Sequence, residues 1–133
     1  MSNLWLKMIG TTDRPFRKGP YPYNYVSFPP GGRPQIHTGD HMILYAVGGN
    51  QRVFALVQVT SEVYICEEVD WPYRVNTTRE VNLDVSQGLD VDEISTGRDL
   101  RRSVRQHSHI RLTPEEYEKA ANKLRQRSAA TQD

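Results

Sequence analysis

The side chains that could hold a metal ion are few and unfavourably spaced. His37 and His41 are four residues apart, but the Gly39-Asp40 turn between them is incompatible with the helical spacing of paired metal ligands. His107 and His109 would share one face of an extended segment. A zinc site at either pair would need further ligands, for which the evident candidates are Cys66, Asp40 and Glu62. We expect no metal and no cofactor, and histidines that are exposed or hydrogen-bonded.

Catalytic motifs are equally hard to assign. Cys66 has no catalytic motif around it, and the serines of VTSEV and RRSVR do not lie in the glycine-flanked turn of a nucleophile elbow. PPGGRP places prolines where a phosphate-binding loop needs backbone N–H donors. The carboxylates of residues 84–93 do not follow the spacing of a calcium loop. We expect a protein that is not an enzyme. The competing hypothesis is a small nucleic-acid-processing enzyme that uses His107, His109 and an acidic partner for acid–base chemistry.

The remaining chemistry is that of aromatic rings and arginines. The stretch GPYPYNYVSFPPGGRP, Gly19 to Pro34, holds five prolines, three tyrosines and a phenylalanine. Because proline and glycine disfavour helix interiors and central strands, we expect these aromatics on irregular backbone. Aromatic faces stack on nucleobases, and arginines neutralise phosphates. A binding wall would draw on Trp5, Tyr21, Tyr23, Tyr25, Phe28 and Tyr45, with Lys7, Arg33 and Arg105 nearby.

Each of these aromatic residues also has a structural alternative. Trp5 and Tyr45 lie in apolar, strand-like segments, where burial in the core explains them without any ligand. The loop tyrosines and Phe28 would equally serve as a lid that folds back on the core. Composition therefore indicates a binder of nucleic acid or of a small ligand, and goes no further.

The net charge of +1 conceals a segregation of charge along the chain. Residues 1–59 carry six basic and two acidic side chains, residues 60–99 three and ten, and residues 100–133 eight and four. If the two basic ends meet in a closed barrel, they form a positive face suited to a polyanion. Arginine outnumbers lysine thirteen to four, which suits recognition of phosphates or bases, although a coding preference for arginine explains the ratio equally well.

The elements that must position these residues are mostly short strands. Apolar or alternating segments predict about five of them, at residues 3–10, 41–47, 52–64, 71–85 and 109–112. The second and third are separated by Gly48-Gly49-Asn50 and are expected to form a hairpin. Arg98, Arg101, Arg102 and Arg105 are spaced three or four apart, as on one face of a short helix.

A C-terminal helix is predicted by its capping signature. Thr113 is placed as the N-cap, Pro114 as the first helical residue and Glu116 as its capping-box partner. The apolar stripe that follows is Tyr117, Ala120, Ala121 and Leu124. We expect an α+β fold, a small mixed β-barrel of about five strands with flanking short helices and this last helix. One domain would span residues 1–127, followed by a disordered tail at 128–133.

Composition also bears on location. The single cysteine cannot form an internal disulfide, and no signal-peptide pattern opens the chain. No apolar run approaches the ~20 residues that cross a bilayer. We expect a soluble, cytoplasmic protein.

Four segments, in this order, resemble the EVE domain, a branch of the PUA-like superfamily that also contains YTH and ASCH domains. LWLKM is similar to the tryptophan-bearing first strand of that family, and TGDHMILYAV resembles its Gly-Asp turn and following strand. ALVQVTSEVY with WPYRVNT resembles the next strands, and RQHSHIRLTPEEYEKA the closing strand and capped helix. Between the first two, many EVE domains carry a tryptophan-containing element and an arginine-asparagine pair; this chain has the proline-rich aromatic loop there.

The resemblance implies a PUA-like barrel and a role as a reader of nucleic acid. EVE domains are similar to modules that hold a modified nucleobase, flipped from DNA or carried on RNA, between aromatic walls. Carried over to this chain, the pocket residues are Trp5, Lys7, Tyr45, Arg105 and Ser108, to which we add Tyr23, Tyr25 and Phe28 of the loop. The partner is then DNA or RNA bearing a modified base. The competing hypothesis is a protein-interaction module that docks through the aromatic loop at residues 19–34.

Overall fold

The fold is a curled, mixed β-sheet with a helix packed against it at the C-terminal end of the chain. The structure, a computed structural model, describes residues 2–10, 16–17, 19–47, 51–67, 69–104 and 108–131. Its strands are β1 (Leu4–Ile9), β2 (Tyr25–Phe28), β3 (His41–Ala46), β4 (Arg52–Val59), β5 (Tyr64–Ile65), β6 (Tyr73–Asn82), β7 (Leu89–Asp90) and β8 (His109–Arg111). The helices are α1 (Leu100–Val104) and α2 (Pro114–Thr131), with 3-10 turns at Val85–Gln87 and Val91–Ile94. Within these ranges no helix is long and apolar enough to cross a membrane.

The strands pair in the order β2-β6-β4-β3-β1-β8, with β5 added beside β6 and β7 beside β4. β1 and β3 run parallel, and the other pairs are antiparallel. The long central strands β1, β3 and β4 are buried over almost their whole length, as their continuous apolar sequences predict. The α+β class and the β3–β4 hairpin are confirmed. The count of about five strands is wrong, because β2, β5 and β7 are too short to show a period and exist through their pairing.

The sheet curls until its two terminal strands approach each other. Phe28 on β2 and His109 on β8 belong to opposite ends of the strand order, yet their ring centroids are only 5.0 Å apart. Two irregularities in register, opposite Leu44/Tyr45 and opposite Leu56/Val57, leave one extra residue on β4 and one on β6 and bend those strands in the way that bulges do. No backbone pairing joins β2 to β8 among the described residues. The curled sheet is therefore open along one line, which we call the seam between β2 and β8.

The aromatic loop contains a strand that the sequence did not reveal. Residues 25–28 lie between the prolines of the loop and form β2, which pairs with β6 alone. The expectation of irregular backbone is wrong for Tyr25 and Phe28 and holds for Tyr21 and Tyr23. The physical reason is that an edge strand needs hydrogen-bond donors on one side only, and the four residues YVSF contain no proline to interrupt them.

The Gly39-Asp40 turn fixes the start of β1 against β3. The Asp40 carboxylate is buried and accepts hydrogen bonds from the backbone N–H of Asn3 (2.9 Å), the indole Nε1–H of Trp5 (3.0 Å) and the backbone N–H of His37 (3.0 Å). Gly39 has φ +93°, a conformation that side-chain-bearing residues rarely adopt. The Asp40 carboxylate in this turn thus fixes the position of β1 relative to β3.

Helix α2 begins as its capping signature predicts. The Thr113 hydroxyl accepts from the Glu116 N–H at 3.2 Å, and the Glu116 carboxylate accepts from the Thr113 N–H at 2.8 Å. Glu116 is buried and also paired with Arg98. The predicted stripe is buried at Ala120, Ala121 and Leu124 and half-buried at Tyr117. The helix continues to Thr131, so residues 128–131 are helical rather than part of a frayed tail.

The charged segments neutralise one another in part. Arg101 on α1 pairs with Asp90 and Asp92 of the acidic middle segment, and Arg125 on α2 pairs with Glu80 of β6. The C-terminal basic segment thereby meets the acidic one through α1 and α2, while its strand β8 pairs with β1 of the N-terminal basic segment. Of the four arginines predicted to share a helix face, Arg101 and Arg102 lie on the five-residue α1, Arg98 precedes it, and Arg105 lies outside the described residues.

A buried lysine in the barrel seam as candidate binding site

Lys7 carries its ammonium group into the interior of the protein. The residue is 1% exposed, and its Nζ donates to the Met8 carbonyl at 2.8 Å and, at 3.5 Å, to the Ser108 carbonyl. The same nitrogen lies 4.8 Å from the ring centroid of Phe28 and 4.9 Å from that of Trp71. Both distances are within the range of cation–π attraction. No carboxylate of the described residues forms an ion pair with Lys7.

Burial changes the proton affinity of this lysine. Removal from water lowers the pKa of Lys7 from 10.5 to about 7, because the charged form loses its hydration. Near neutral pH the group is thus divided between an ammonium and an amine. An amine can donate and accept hydrogen bonds, whereas an ammonium only donates. Lys7 is therefore a polar group of adjustable charge set into an aromatic and aliphatic surrounding.

A small cavity of about 110 Å³ opens beside Lys7 at the seam. Its walls come from the end of β1, from β2, from the loop before β2 and from the segment before β6: Lys7, Met8, Ile9, Gly10, Tyr21, Ser27 and Trp71. Drug-sized ligands occupy pockets of about 300–1,000 Å³. This cavity has room for a single small ring, with a half-buried tryptophan at its side.

Tyr21 closes one wall of the cavity through a hydrogen bond of its own. The Tyr21 hydroxyl donates to the Tyr25 carbonyl at 2.7 Å, and its backbone N–H and carbonyl are both bonded to the Asn82 side chain. Burial raises the pKa of Tyr21, so the hydroxyl keeps its proton throughout the neutral range. The wall is therefore fixed on both its backbone and its side chain.

The structure brings together three of the eight predicted site residues. Lys7, Phe28 and Ser108 meet at the seam, with Ser108 contributing its carbonyl. Arg105 lies outside the described residues. Of the described predicted residues only Lys7 lines the cavity: Phe28 and Ser108 contact its Nζ from outside the lining, and Trp5, Tyr23, Tyr25 and Tyr45 lie elsewhere.

Trp5 and Tyr45 occupy core positions. Trp5 is 6% exposed, and its indole N–H is used by Asp40. Tyr45 is buried and pairs in register with Met8. Since successive residues of a strand point to opposite faces, Tyr45 lies on the sheet face opposite to Lys7. Both residues are therefore buried in the core, which is the structural alternative that the sequence offered for them.

Tyr23 and Tyr25 lie beyond the cavity wall. Tyr23 is 50% exposed, its ring centroid 5.6 Å from that of Tyr21 and 5.2 Å from that of Tyr25. Tyr25 is half-buried, and the Arg74 guanidinium lies 4.2 Å above its ring. These rings are outside the cavity and continuous with its wall.

Trp71 and Ser27 line the cavity without having been assigned to it, and Tyr21, named from sequence only as part of a binding wall, lines it too. The signal for Trp71 was its place directly before Pro72 in WPYRV, because a residue before a proline is disfavoured in a helix and adopts extended backbone. Which strand ends face each other across the seam is not visible from local pattern.

Of the metal-ligand candidates, the described part of the chain brings His37 and Glu62 together as a pair. His37 is bonded to Glu62 at 2.8 Å, and His41 stacks against Tyr117 with ring centroids 5.6 Å apart. His107 lies outside the described residues. Where the structure describes the chain, no group of three or more His, Cys, Asp and Glu side chains could hold a metal ion.

A larger groove of about 370 Å³ runs beside the last turns of α2. Its lining includes Glu93, Lys123 and Arg127, and the Arg127 guanidinium is already bonded to the carbonyls of Gln87 and Gly88. It is an open surface depression without an aromatic residue in its lining. The seam cavity is smaller but combines a buried polar group with aromatic rings, which is the pattern of a specific site.

Comparison with known proteins gives the fold alone. No family model matches the chain, and no curated protein matches it. Among solved structures, protein Atu2648 from Agrobacterium tumefaciens superposes with a TM-score of 0.58 at 14% sequence identity, over 92% of each chain. The two proteins share an architecture.

Proposed function

We propose that this chain is a non-enzymatic module that binds a modified nucleobase of DNA or RNA in the seam cavity. The observation that carries the proposal is the position of Lys7, whose buried Nζ lies between the rings of Phe28 and Trp71 and beside a ring-sized cavity lined by Trp71 and Tyr21. Such a group forms hydrogen bonds with the polar edge of a heterocycle, while the aromatic rings of the cavity wall stack on its faces.

Two opposing free energies decide the stability of such a complex. Extruding a base from its stack costs a few kcal/mol, and stacking of a base on an aromatic side chain returns roughly 1–3 kcal/mol. Besides its bonds to the Met8 and Ser108 carbonyls, the Lys7 Nζ has one more N–H as an ammonium, or a lone pair as an amine, and a hydrogen bond between this nitrogen and the polar edge of a base adds specificity. The confined cavity would then discriminate bases by the substituent that fits beside Ser27 and Met8.

The resemblance to EVE domains supports the same reading. The four matching segments include the strand that carries Lys7 and the WPYR stretch that carries Trp71, both of which line the seam cavity. We propose that the fold is PUA-like and that the family is that of EVE domains. The aromatic loop supplies Tyr21 and Ser27 to the cavity in place of the element that many EVE domains carry there.

The direct test is titration against labelled oligonucleotides that differ only in one modified or unmodified cytosine, at two salt concentrations. We expect tighter binding of at least one modified oligonucleotide, and weaker binding of all of them at higher salt, because released counterions contribute to affinity. Lys7→Met and Trp71→Ala should remove the preference for the modified base. Lys123→Met, a charge removal on α2 away from the cavity, is the matched control and should keep it. Absence of binding to every oligonucleotide would reject the proposal.

A second candidate function is protein interaction through the aromatic loop. Its support is the 50% exposure of Tyr23, high for a tyrosine that lies next to two other rings. In that case Tyr23→Ala with Tyr25→Ala would abolish capture of a protein partner and leave oligonucleotide binding intact. Loss of oligonucleotide binding in the double variant would argue against it.

A further inference from the structure

A row of three tyrosine rings leads from the seam cavity to the outside of the protein. Tyr21 lines the cavity, Tyr23 follows at 5.6 Å between ring centroids, and Tyr25 follows Tyr23 at 5.2 Å. The Arg74 guanidinium stacks on the far end, 4.2 Å from the ring of Tyr25. We call Tyr23, Tyr25 and Arg74 the tyrosine–arginine file. Core packing does not account for it, since Tyr23 is half exposed.

The basic residues of this surface have donors to spare. No described residue accepts a hydrogen bond from the Arg74 Nε, although that atom is buried. Arg79 reaches back from β6 to the Tyr23 carbonyl at 3.3 Å. Buried polar atoms are nearly always paired, so an unpaired guanidinium nitrogen on a stacked arginine indicates a missing acceptor. Phosphate oxygens are the acceptors that guanidinium groups fit best.

Acidic side chains do not cancel the charge of these arginines. Among the described residues, no carboxylate pairs with Arg74 or Arg79. Glu80, on the same strand, is bonded to Arg125, and Glu62 is bonded to His37 and to the Thr38 N–H. In the part of the chain that the structure describes, the surface thus combines flat aromatic faces with two arginines that pair with no carboxylate, which is complementary to bases and phosphates together.

We propose that the cavity ligand belongs to a single-stranded nucleic acid and that its neighbouring nucleotides lie along the tyrosine–arginine file. The proposal rests on the proposed function and adds the form of the substrate. In a duplex the neighbouring bases are stacked on one another and offer no face to a tyrosine. In a single strand each base has a free face for stacking, and its phosphate can reach an arginine. The exposed ring of Tyr23, supported from behind by Tyr25, stacks a base, and Arg74 and Arg79 bind the phosphates.

The experiment measures binding of one modified-base oligonucleotide as a single strand and annealed to its complement. The wild-type protein should bind the single strand at least tenfold more tightly. Tyr23→Ala should weaken binding of modified and unmodified single strands alike, by about 5- to 100-fold for one lost stacking contact. Tyr23→Phe keeps the ring and should bind as the wild type does. Arg74→Gln should reduce the slope of log K against log salt by about 0.7. Arg102→Gln, an exposed arginine on α1, is the charge control and should leave the slope unchanged.

The two proposals fail in different ways. Lys7→Met acts on the preference for the modified base, whereas the variants of the file act on affinity for every single strand. If oligonucleotides bind but Tyr23→Ala and Arg74→Gln behave as the wild type, or if the duplex binds as tightly as the single strand, the file is not the path of the strand and the cavity proposal stands. If no oligonucleotide binds, both proposals are rejected.

Discussion

At the scale of the residue, burial of Lys7 lowers the stability of the folded protein and places a polar group beside the cavity. The unfolded chain holds the lysine proton up to its ordinary pKa of 10.5, whereas burial in the folded protein lowers that pKa to about 7. Between these values the unfolded chain binds a proton that the folded protein has released. Raising the pH from about 7 to about 10 therefore favours folding, and below about pH 7 the folded protein bears the full penalty of a buried ammonium.

Replacement of this lysine should stabilise the protein. Lys7→Met keeps the length of the side chain and removes the charge, so at pH 7 or below we expect a free energy of unfolding higher by on the order of 4 kcal/mol, since each pKa unit corresponds to about 1.36 kcal/mol. Urea denaturation at several pH values measures this, and the difference should shrink towards pH 10. A variant that is less stable than the wild type at pH 6 would show that the lysine is a structural group and not a binding group.

Asp40 is the residue whose loss should damage the site from a distance. Its carboxylate is the acceptor for Asn3, Trp5 and His37, and its removal leaves three buried or half-buried donors without a partner. Asp40→Ala should lower the free energy of unfolding by about 3 kcal/mol or more, because each unsatisfied buried group costs about 1–3 kcal/mol. Asp40→Asn keeps one carbonyl acceptor and should lose less. Equal losses in thermal or urea denaturation of the two variants would contradict this account.

At the scale of the element, the close approach of two backbone segments fixes how β7 meets β4. A Cβ atom at Gly88 would lie 2.5 Å from the Val53 carbonyl oxygen, although the φ of −72° there suits any residue. Gly88→Ala should therefore destabilise the protein through overpacking alone, by roughly 1–3 kcal/mol.

The matched control for this substitution is Gly97→Ala. No atom lies within 4 Å of a Cβ placed at Gly97, so we expect that variant to unfold at the denaturant concentration of the wild type. Urea midpoints of the two variants give the comparison. A neutral Gly88→Ala would mean that β7 and β4 are not held as closely as the structure shows.

An element was predictable from sequence where its signal lies in neighbouring residues, and was not where it depends on a distant pairing partner. α2 was predicted in type and start because Thr113 and Glu116 form a local capping box. β2, by contrast, consists of four residues between prolines and is defined by its pairing with β6, a partner about fifty residues away. The site divides in the same way: Lys7 lay in a recognisable first strand, whereas Trp71 joins it only because the sheet curls.

At the scale of the whole molecule, the open seam is the feature that makes a binding site. Curling brings Phe28 and His109 into contact, the described residues show no pairing of β2 with β8, and a cavity opens beside the buried Lys7. The wall of this cavity at Tyr21 continues into the tyrosine–arginine file on the surface. The central claim of this account is that a nucleobase enters the seam cavity beside Trp71.

The two tryptophans of the chain allow a direct test of that claim. The Trp5 indole N–H is buried against Asp40, and Trp71 is half-buried at the cavity, so one indole is an internal control for the other. In ¹H–¹⁵N spectra recorded during titration with a single-stranded oligonucleotide that carries a modified cytosine, we predict a large, saturable shift of the Trp71 indole resonance and a small one for Trp5. Binding that leaves the Trp71 resonance in place would contradict the account.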